Sequence, residues 1–327
     1  MKKYFIITID TEGDNLWAWN GKDKIKTDNT LYLGRFQNLC NQYGFKPVWL
    51  TNYEMISDSR YVDFISSVVE TGTGEIGMHL HAWNSPPFYE LEHRKDGKTG
   101  KPYLIEYPKE VMYEKIHLLS SLIQSRTGTK PVSHRAGRWA TNQNYFELLM
   151  EEGYKVDCSV TPSINWANMP GYTSESCGTN YEKNKIGEFF INSSKSEKQI
   201  LEVPVSIKKT HSFIRPEETS AKGFIGSVYR AINGQSIWLR PTRNNLNRML
   251  WLANEELRSD GSYLMFMLHS SEFMPGGNPI FRNSTEIDNL YNMLEVLFSF
   301  ISKTYIGITL EDFEEKIRKT VLYDRKC

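Results

Sequence analysis

What most constrains this chain is a repeating alternation of short apolar runs with helix-patterned stretches, where the apolar runs lead into polar, chemistry-bearing residues. The first run, Tyr4-Phe5-Ile6-Ile7-Thr8-Ile9, leads into Asp10-Thr11-Glu12-Gly13-Asp14. Leu31, Phe36, Leu39 and Cys40 then recur at helical spacing, with Gly44 placed as a C-cap. Residues 46–50 return to strand, 61–69 read as helix, and 75–81 are strand again. Met112, Ile116, Leu119, Leu122 and Ile123 form a helical stripe over 111–123. A short strand over 131–133 enters His134-Arg135, a helix over 145–152 stops at Gly153, and 155–160 read as strand. Such a rhythm predicts an α/β chain built on a parallel sheet or barrel.

After Thr161-Pro162 the rhythm breaks. Residues 163–200 are rich in Asn, Ser, Gly and Lys, residues 200–205 read as strand, and 211–238 match no clear pattern. The stretch from about 163 to 240 is expected to be an irregular insertion within a single domain spanning 1–327. Helix then returns over 244–257, a buried strand over 263–268 delivers His269, a helix covers 290–301, and residues 305–308 form a short strand. Thr309 and Asp312 stand in the N-cap and capping-box positions of a last helix.

The segment Gly77-Met78-His79-Leu80-His81 carries the strongest chemical signal. Side chains two apart on a strand share a face, so His79 and His81 can aim two imidazoles at one point. Asp10 and Glu12, also two apart, can offer carboxylates. Two imidazoles and a carboxylate make a zinc-type donor set. The plainer alternatives are a hydrogen-bonded histidine pair at a strand end and a solvated acidic loop. Tryptophans follow both clusters, Trp17 and Trp19 after the first and Trp83 after the second, and indoles suit sugar faces as well as cores. In βα barrels reactive residues gather at the C-terminal strand ends. Five polar strand ends fit that placement: Asp10/Glu12, His79/His81, His134/Arg135, Asp157 and His269. Trp238-Leu239-Arg240-Pro241 reads either as a substrate-side loop or as plain packing.

Composition excludes several other functions. Lys+Arg and Asp+Glu are both 39, so no net charge draws the chain to nucleic acid or an anionic surface. No apolar run approaches the roughly 18 residues of a membrane span. Asp10, Glu12 and Asp14 interrupt the first apolar run before a signal sequence would be complete, so a cytoplasmic location is expected. The four cysteines lack C-x-x-C spacing and read as reduced thiols.

The order acidic cluster, histidine pair, arginine motif, aspartate, late histidine resembles the polysaccharide deacetylases, the NodB-homology family or family 4 carbohydrate esterases. Ile7-Thr8-Ile9-Asp10-Thr11-Glu12 looks like their first motif, and Gly74-Glu75-Ile76-Gly77-Met78-His79 like the second. His134-Arg135-Ala136-Gly137-Arg138-Trp139 resembles the third, Gly153-Tyr154-Lys155-Val156-Asp157-Cys158-Ser159 the fourth, and Leu264-Met265-Phe266-Met267-Leu268-His269 the fifth. The resemblance runs from about residue 4 to 315 and is nearest to the lipopolysaccharide and surface-polysaccharide biosynthesis subgroup. That subgroup shares Met78-His79-Leu80-His81-x-Trp83 and Leu268-His269-Ser270-Ser271-Glu272. It implies a distorted (β/α) barrel of the NodB-homology type.

Two departures stand out. The first motif ordinarily has adjacent aspartates, and here Thr11 holds the second place, with Glu12 and Asp14 nearest. The second motif ordinarily spaces its histidines by four, and here that position is Trp83 while the second histidine is His81.

The resemblance implies metal-assisted removal of an acyl group from the nitrogen of a sugar or sugar-containing intermediate. Glu12, His79 and His81 would hold a divalent ion, Zn2+ first among the candidates, although which of Asp10 and Glu12 binds metal stays open. Asp10 would be the general base, His269 the general acid and Arg135 the residue that orients the base. Trp83 and Trp139 would stack on the sugar. His134 and Asp157 would be supporting residues, with Asp157 setting the protonation of a partner such as His269. The competing readings are a glycan-binding homologue without a metal site and an amidase for a non-sugar amide.

Overall fold

The computed structural model describes residues 3–324 apart from 20, 22, 90–99, 174, 218 and 219. Its first half alternates strand and helix: β1 (Lys3–Thr11), α1 (Leu33–Gln42), β2 (Pro47–Thr51), a one-turn α2 (Tyr53–Ile56), α3 (Ser59–Glu70), β3 (Glu75–Leu80), α4 (Lys109–Thr127), β4 (Ser133–Ala136), α5 (Gln143–Glu152) and β5 (Val156–Asp157). The second half adds β6 (Phe189–Asn192), β7 (Gln199–Glu202), β8 (Ile207–Thr210), α6 (Ala221–Asn233), β9 (Gln235–Trp238), α7 (Leu246–Arg258), β10 (Tyr263–His269), α8 (Ser284–Ile301), β11 (Tyr305–Gly307) and α9 (Leu310–Asp324).

The main sheet runs β10-β1-β2-β3-β4-β5-β7-β6 and curls into a half-barrel. Every pairing along it is parallel except β6 with β7. β11 and β2 share one edge of β1: β11 pairs with residues 3–5 and β2 with residues 7–11. Past the ladder, Ser206 and Leu239 cover the free edge of β10. Met265 N donates to Ser206 Oγ at 2.8 Å and Met267 N to the Leu239 carbonyl at 3.2 Å.

Alternation along β1 explains why its run is apolar throughout. Phe5, Ile7 and Ile9 pack outward with Phe36, Leu39 and Phe298 of the helices. Ile6 points inward among Val48, Leu50, Val156, Leu201 and Met265. A parallel sheet covered on both faces needs apolar residues at both sets of positions. The inward set continues through Thr8 to Asp10, so the barrel interior turns polar only at its C-terminal end.

Some expectations are corrected. Leu31 belongs to a 3-10 turn, Asp28–Tyr32, and is 69% exposed, so it is not part of the helical stripe. The strand expected over 155–160 pairs only at Val156 and Asp157. The insertion is structured: β6 and β7 extend the main sheet, while β8 and β9 form a separate antiparallel ribbon joined through α6. β6 is an edge strand of half-exposed residues, which needs no apolar run. On α6 the large apolar residues Phe224, Ile225, Tyr229 and Ile232 face outward. Of the loop expected over 86–108, residues 90–99 lie outside the described residues. Among the described residues no helix is long and apolar enough to cross a membrane.

Candidate metal centre

The C-terminal ends of β1, β3 and β10 meet at a cavity of about 440 Å3, lined among others by Asp10, Glu12, His79, His81, Trp139 and His269. His79 is the penultimate residue of β3 and His81 the first beyond it, and both are buried. Extended backbone puts the two rings on one face, with centroids 4.6 Å apart. Glu12 reaches them from the loop after β1. Its Oε2 lies 3.4 Å from His81 Nε2 and 3.7 Å from His79 Nε2. The donor atoms of the three residues all fall within 4.8 Å of one another.

Surrounding bonds fix this set. The Glu12 amide donates to Ser270 Oγ at 3.0 Å, and Asn29 Nδ2 donates to the Glu12 carbonyl at 2.9 Å. Glu54 Oε1 accepts from the Gly13 amide and its Oε2 from Asn84 Nδ2, both at 2.7 Å. It thereby ties the loop carrying Glu12 to the turn after His81. Burial pushes the Glu54 carboxyl up to about 7. Thr11 Oγ1 donates to the Ile9 carbonyl, so its side chain is committed to backbone and Glu12 supplies the carboxylate.

The donor chemistry fits a divalent ion. The Arg135 carbonyl lies 3.0 Å from His79 Nδ1. A carbonyl only accepts, so Nδ1 carries the proton and Nε2 presents its lone pair to the other donors. Two imidazole nitrogens and one carboxylate leave a fourth tetrahedral position open. Burial alone would lower the His79 pKa, but the Asp10 charge and the Glu12 contact outweigh it and raise it. Burial, then the neighbouring His79 charge and Arg138, drive the His81 pKa well down.

Asp10 faces this group from β1. Burial alone would push its carboxyl up. The Arg135, His79 and His269 charges hold it well below the usual carboxylate range instead. Arg135 Nη1 donates to Asp10 Oδ1 at 2.5 Å, Nη2 to Thr8 Oγ1 at 2.8 Å and Nε to the Cys158 carbonyl at 3.1 Å. His269 Nε2 lies 3.9 Å from Asp10 Oδ2. On its other side, His269 Nδ1 is 3.1 Å from Glu272 Oε2, and Arg240 Nη2 donates to Glu272 Oε1 at 3.2 Å. Burial opposes the Glu272 charge, but Arg240 and His269 bring its carboxyl down to about 2.

Asp157 does not partner His269. Its Oδ1 is 2.5 Å from His134 Nδ1, and His134 Nε2 is 2.9 Å from Tyr145 Oη. The sheet register sets His134 opposite Asp157, and strand alternation turns them away from Arg135 toward α5. Neither lines the cavity. The carboxylate at His269 is Glu272, and its i,i+3 spacing from that histidine was the available signal.

Trp83 stacks on His81 at 5.2 Å and on Trp19 at 4.7 Å, separating this cavity from another of about 700 Å3. Trp139 lies over the Arg135 guanidinium at 5.0 Å. Arg138 and Trp139 have φ of 57° and 62°, a left-handed turn that costs of order 1–3 kcal/mol per residue. The turn presents both side chains to the cavity. Sequence reasoning gave no role to Glu54, Glu272 or Trp166; Trp17, noted there as an indole beside the acidic cluster, meets the His269 ring edge-on at 5.0 Å.

No family model matches the sequence, and no curated protein matches it. The fold does have solved counterparts. A Mycobacterium smegmatis protein assigned as a polysaccharide deacetylase superposes with a TM-score of 0.54 at 13% identity, covering 98% of this chain and 92% of its own. A Parabacteroides distasonis protein assigned as a glycoside hydrolase/deacetylase gives 0.59 at 11%, covering 97% and 72%. PuuE allantoinase gives 0.52 at 13%, covering 95% and 88%. At these identities the likeness is one of fold: the curled half-barrel is that of the NodB-type deacetylases.

Proposed function

We propose that the protein is a metal-dependent hydrolase that removes an acetyl or similar acyl group from the nitrogen of a sugar. The observation that carries this reading is the meeting of Glu12, His79 and His81 in one buried group, with Asp10 and His269 lining the same cavity. A divalent ion held there, with Zn2+ the best match to the donors, would polarise the acyl carbonyl and lower the pKa of water from about 15.7 to about 7. Asp10, kept ionised by Arg135, receives a proton from the attacking water. His269 gives a proton from Nε2 to the departing amine nitrogen, while Glu272 holds Nδ1. Trp139 and Trp166 supply indole faces for the sugar ring, whereas Trp83, already stacked on His81 and Trp19, serves as a wall of the cavity.

The alternative of a binding protein that has lost its metal site has less support, because Glu12 and His81 supply the donors that the shifted motifs put in question. The deacetylases and the allantoinase of similar fold support amide hydrolysis, and the tryptophan-walled cavity favours a sugar over a small ureide. The test is metal content with acetate release from N-acetyl sugars, comparing wild type with His79→Ala/His81→Ala. About one divalent ion per chain, lost with activity in the double variant, is expected. A wild type that neither holds nor takes up Zn2+ would remove the mechanism.

A further inference from the structure

Beyond the reactive cavity lies a second one of about 480 Å3. The two share Trp17, Trp139, Trp166 and Arg240, so they meet along one wall. The far side is built from the second half of the chain: Trp238 ends β9, and Arg248 stands on the first turn of α7. Trp238 meets Trp139 at 6.2 Å and Trp166 at 6.4 Å, both edge-on. No carboxylate lines this cavity among the described residues.

Its two cations are incompletely matched. Arg240 Nη2 is shared between Glu272 Oε1 at 3.2 Å and His269 Nδ1 at 3.1 Å, but its Nε is buried without a hydrogen-bond partner. Arg248 is half-buried and has neither ion pair nor side-chain hydrogen bond among the described residues. Partial burial, then the like charge of Arg230, lower its pKa, and Glu217 offsets this only in part. Glu217 Oε1 is itself occupied by the Asn247 amide at 2.6 Å. A half-buried guanidinium beside another cation, and facing a cavity, is matched by an oxyanion that takes its fork of donors.

We propose that this second cavity binds an oxyanion, phosphate or carboxylate, carried by the same saccharide beyond its acylated residue. The inference rests on the sugar-deacylase reading, since the shared wall makes both cavities parts of one substrate site. A neutral N-acetyl monosaccharide would fill the first cavity alone, and the indoles between the two suit a continuous sugar chain or glycosyl linkage.

Calorimetric titration tests this with three probes: N,N′-diacetylchitobiose, N-acetylglucosamine 1-phosphate, and N-acetylglucosamine linked to glucuronic acid. At least one anionic probe is expected to bind wild type about tenfold more tightly than the neutral one. Which one does so separates phosphate from carboxylate. Arg248→Gln is expected to abolish the preference and Arg248→Lys to keep part of it. Arg258→Gln, on the exposed far end of α7, is expected to leave it intact. The proposal is overturned if neither anionic probe outbinds the neutral one, or if the preference survives in a folded Arg248→Gln protein. Acetate release is followed in parallel. An anion preference without deacylation of any probe would keep the subsite and sink the deacylase reading.

Discussion

Glu272 Oε2 lies 3.1 Å from His269 Nδ1 and also accepts the His269 backbone amide at 2.8 Å. One buried carboxylate thus fixes both the ring and the backbone of the proposed acid. Nδ1 stands 3.1 Å from Glu272 Oε2 and 3.1 Å from Arg240 Nη2, and the ionised Glu272 favours a proton on Nδ1, while Nε2 is on the Asp10 side. Glu272→Gln keeps the shape but offers an amide where a carboxylate accepted. Its kcat is expected to fall about 10- to 100-fold with KM little changed. Steady-state acetate release checks this, and an unchanged kcat would remove His269 from the acid role.

Arg135 and Asp10 make the opposite kind of pair, a buried charge held by a buried charge. Arg135→Met leaves the Asp10 carboxylate without its partner and is expected to destabilise the fold by about 3–5 kcal/mol. The sign for pH follows from the same loss. Arg135 holds the Asp10 pKa down, so its removal raises that pKa and moves the acid limb of the activity profile to higher pH. Asp10→Asn/Arg135→Met is expected to recover part of the lost stability, since no buried charge remains unpaired. Urea unfolding of the two single variants and the double variant measures the coupling.

Gly137 sets how closely the turn after β4 approaches His81. A Cβ at that position would meet the His81 ring and sit 2.5 Å from the Leu80 carbonyl oxygen. Gly137→Ala is expected to cost about 1–3 kcal/mol of stability as the contact is forced apart. It should also weaken metal binding by about tenfold or more through displacement of His81. Thermal melting and competition with a chelating dye read the two effects separately.

The residues that form the site were readable where the signal was local. Asp10 and Glu12 follow an apolar strand, His79 and His81 sit two apart, and His269 ends a buried run. The partner of Asp157 was not readable, because it depends on β4 lying beside β5 with His134 opposite Asp157. β7 was readable as the apolar run from residue 200, but β6 was not, because an edge strand tolerates half-exposed and polar residues such as Asn192. Arg240 stood in a segment that read equally as a substrate-side loop or as packing, and the bond of Leu239 to the free edge of β10 places it at the cavity; Arg248, on α7, carried no sequence signal. Thr11 stands where the first motif ordinarily has its second aspartate, and Glu12, already readable as the nearest substitute, is the carboxylate that lies beside His79 and His81.

Glu75 provides a test of the fold independent of chemistry. It opens β3, and its Oε2 accepts the Glu311 amide at the start of α9 at 2.9 Å. Burial, with the nearby Glu311 charge, pushes its carboxyl up to about 7 from 4.5. Below the unfolded pKa both states hold the proton and the group adds no pH dependence. Between about 4.5 and 7 the unfolded chain ionises while the folded one keeps its proton, so stability falls as pH rises. Glu75→Gln keeps an acceptor for the Glu311 amide and cannot ionise. It is therefore expected to gain about 2 kcal/mol over wild type at pH 8 and almost nothing at pH 4. Urea unfolding at the two pH values measures the difference. An equal effect at both would mean that Glu75 keeps its charge in the folded protein.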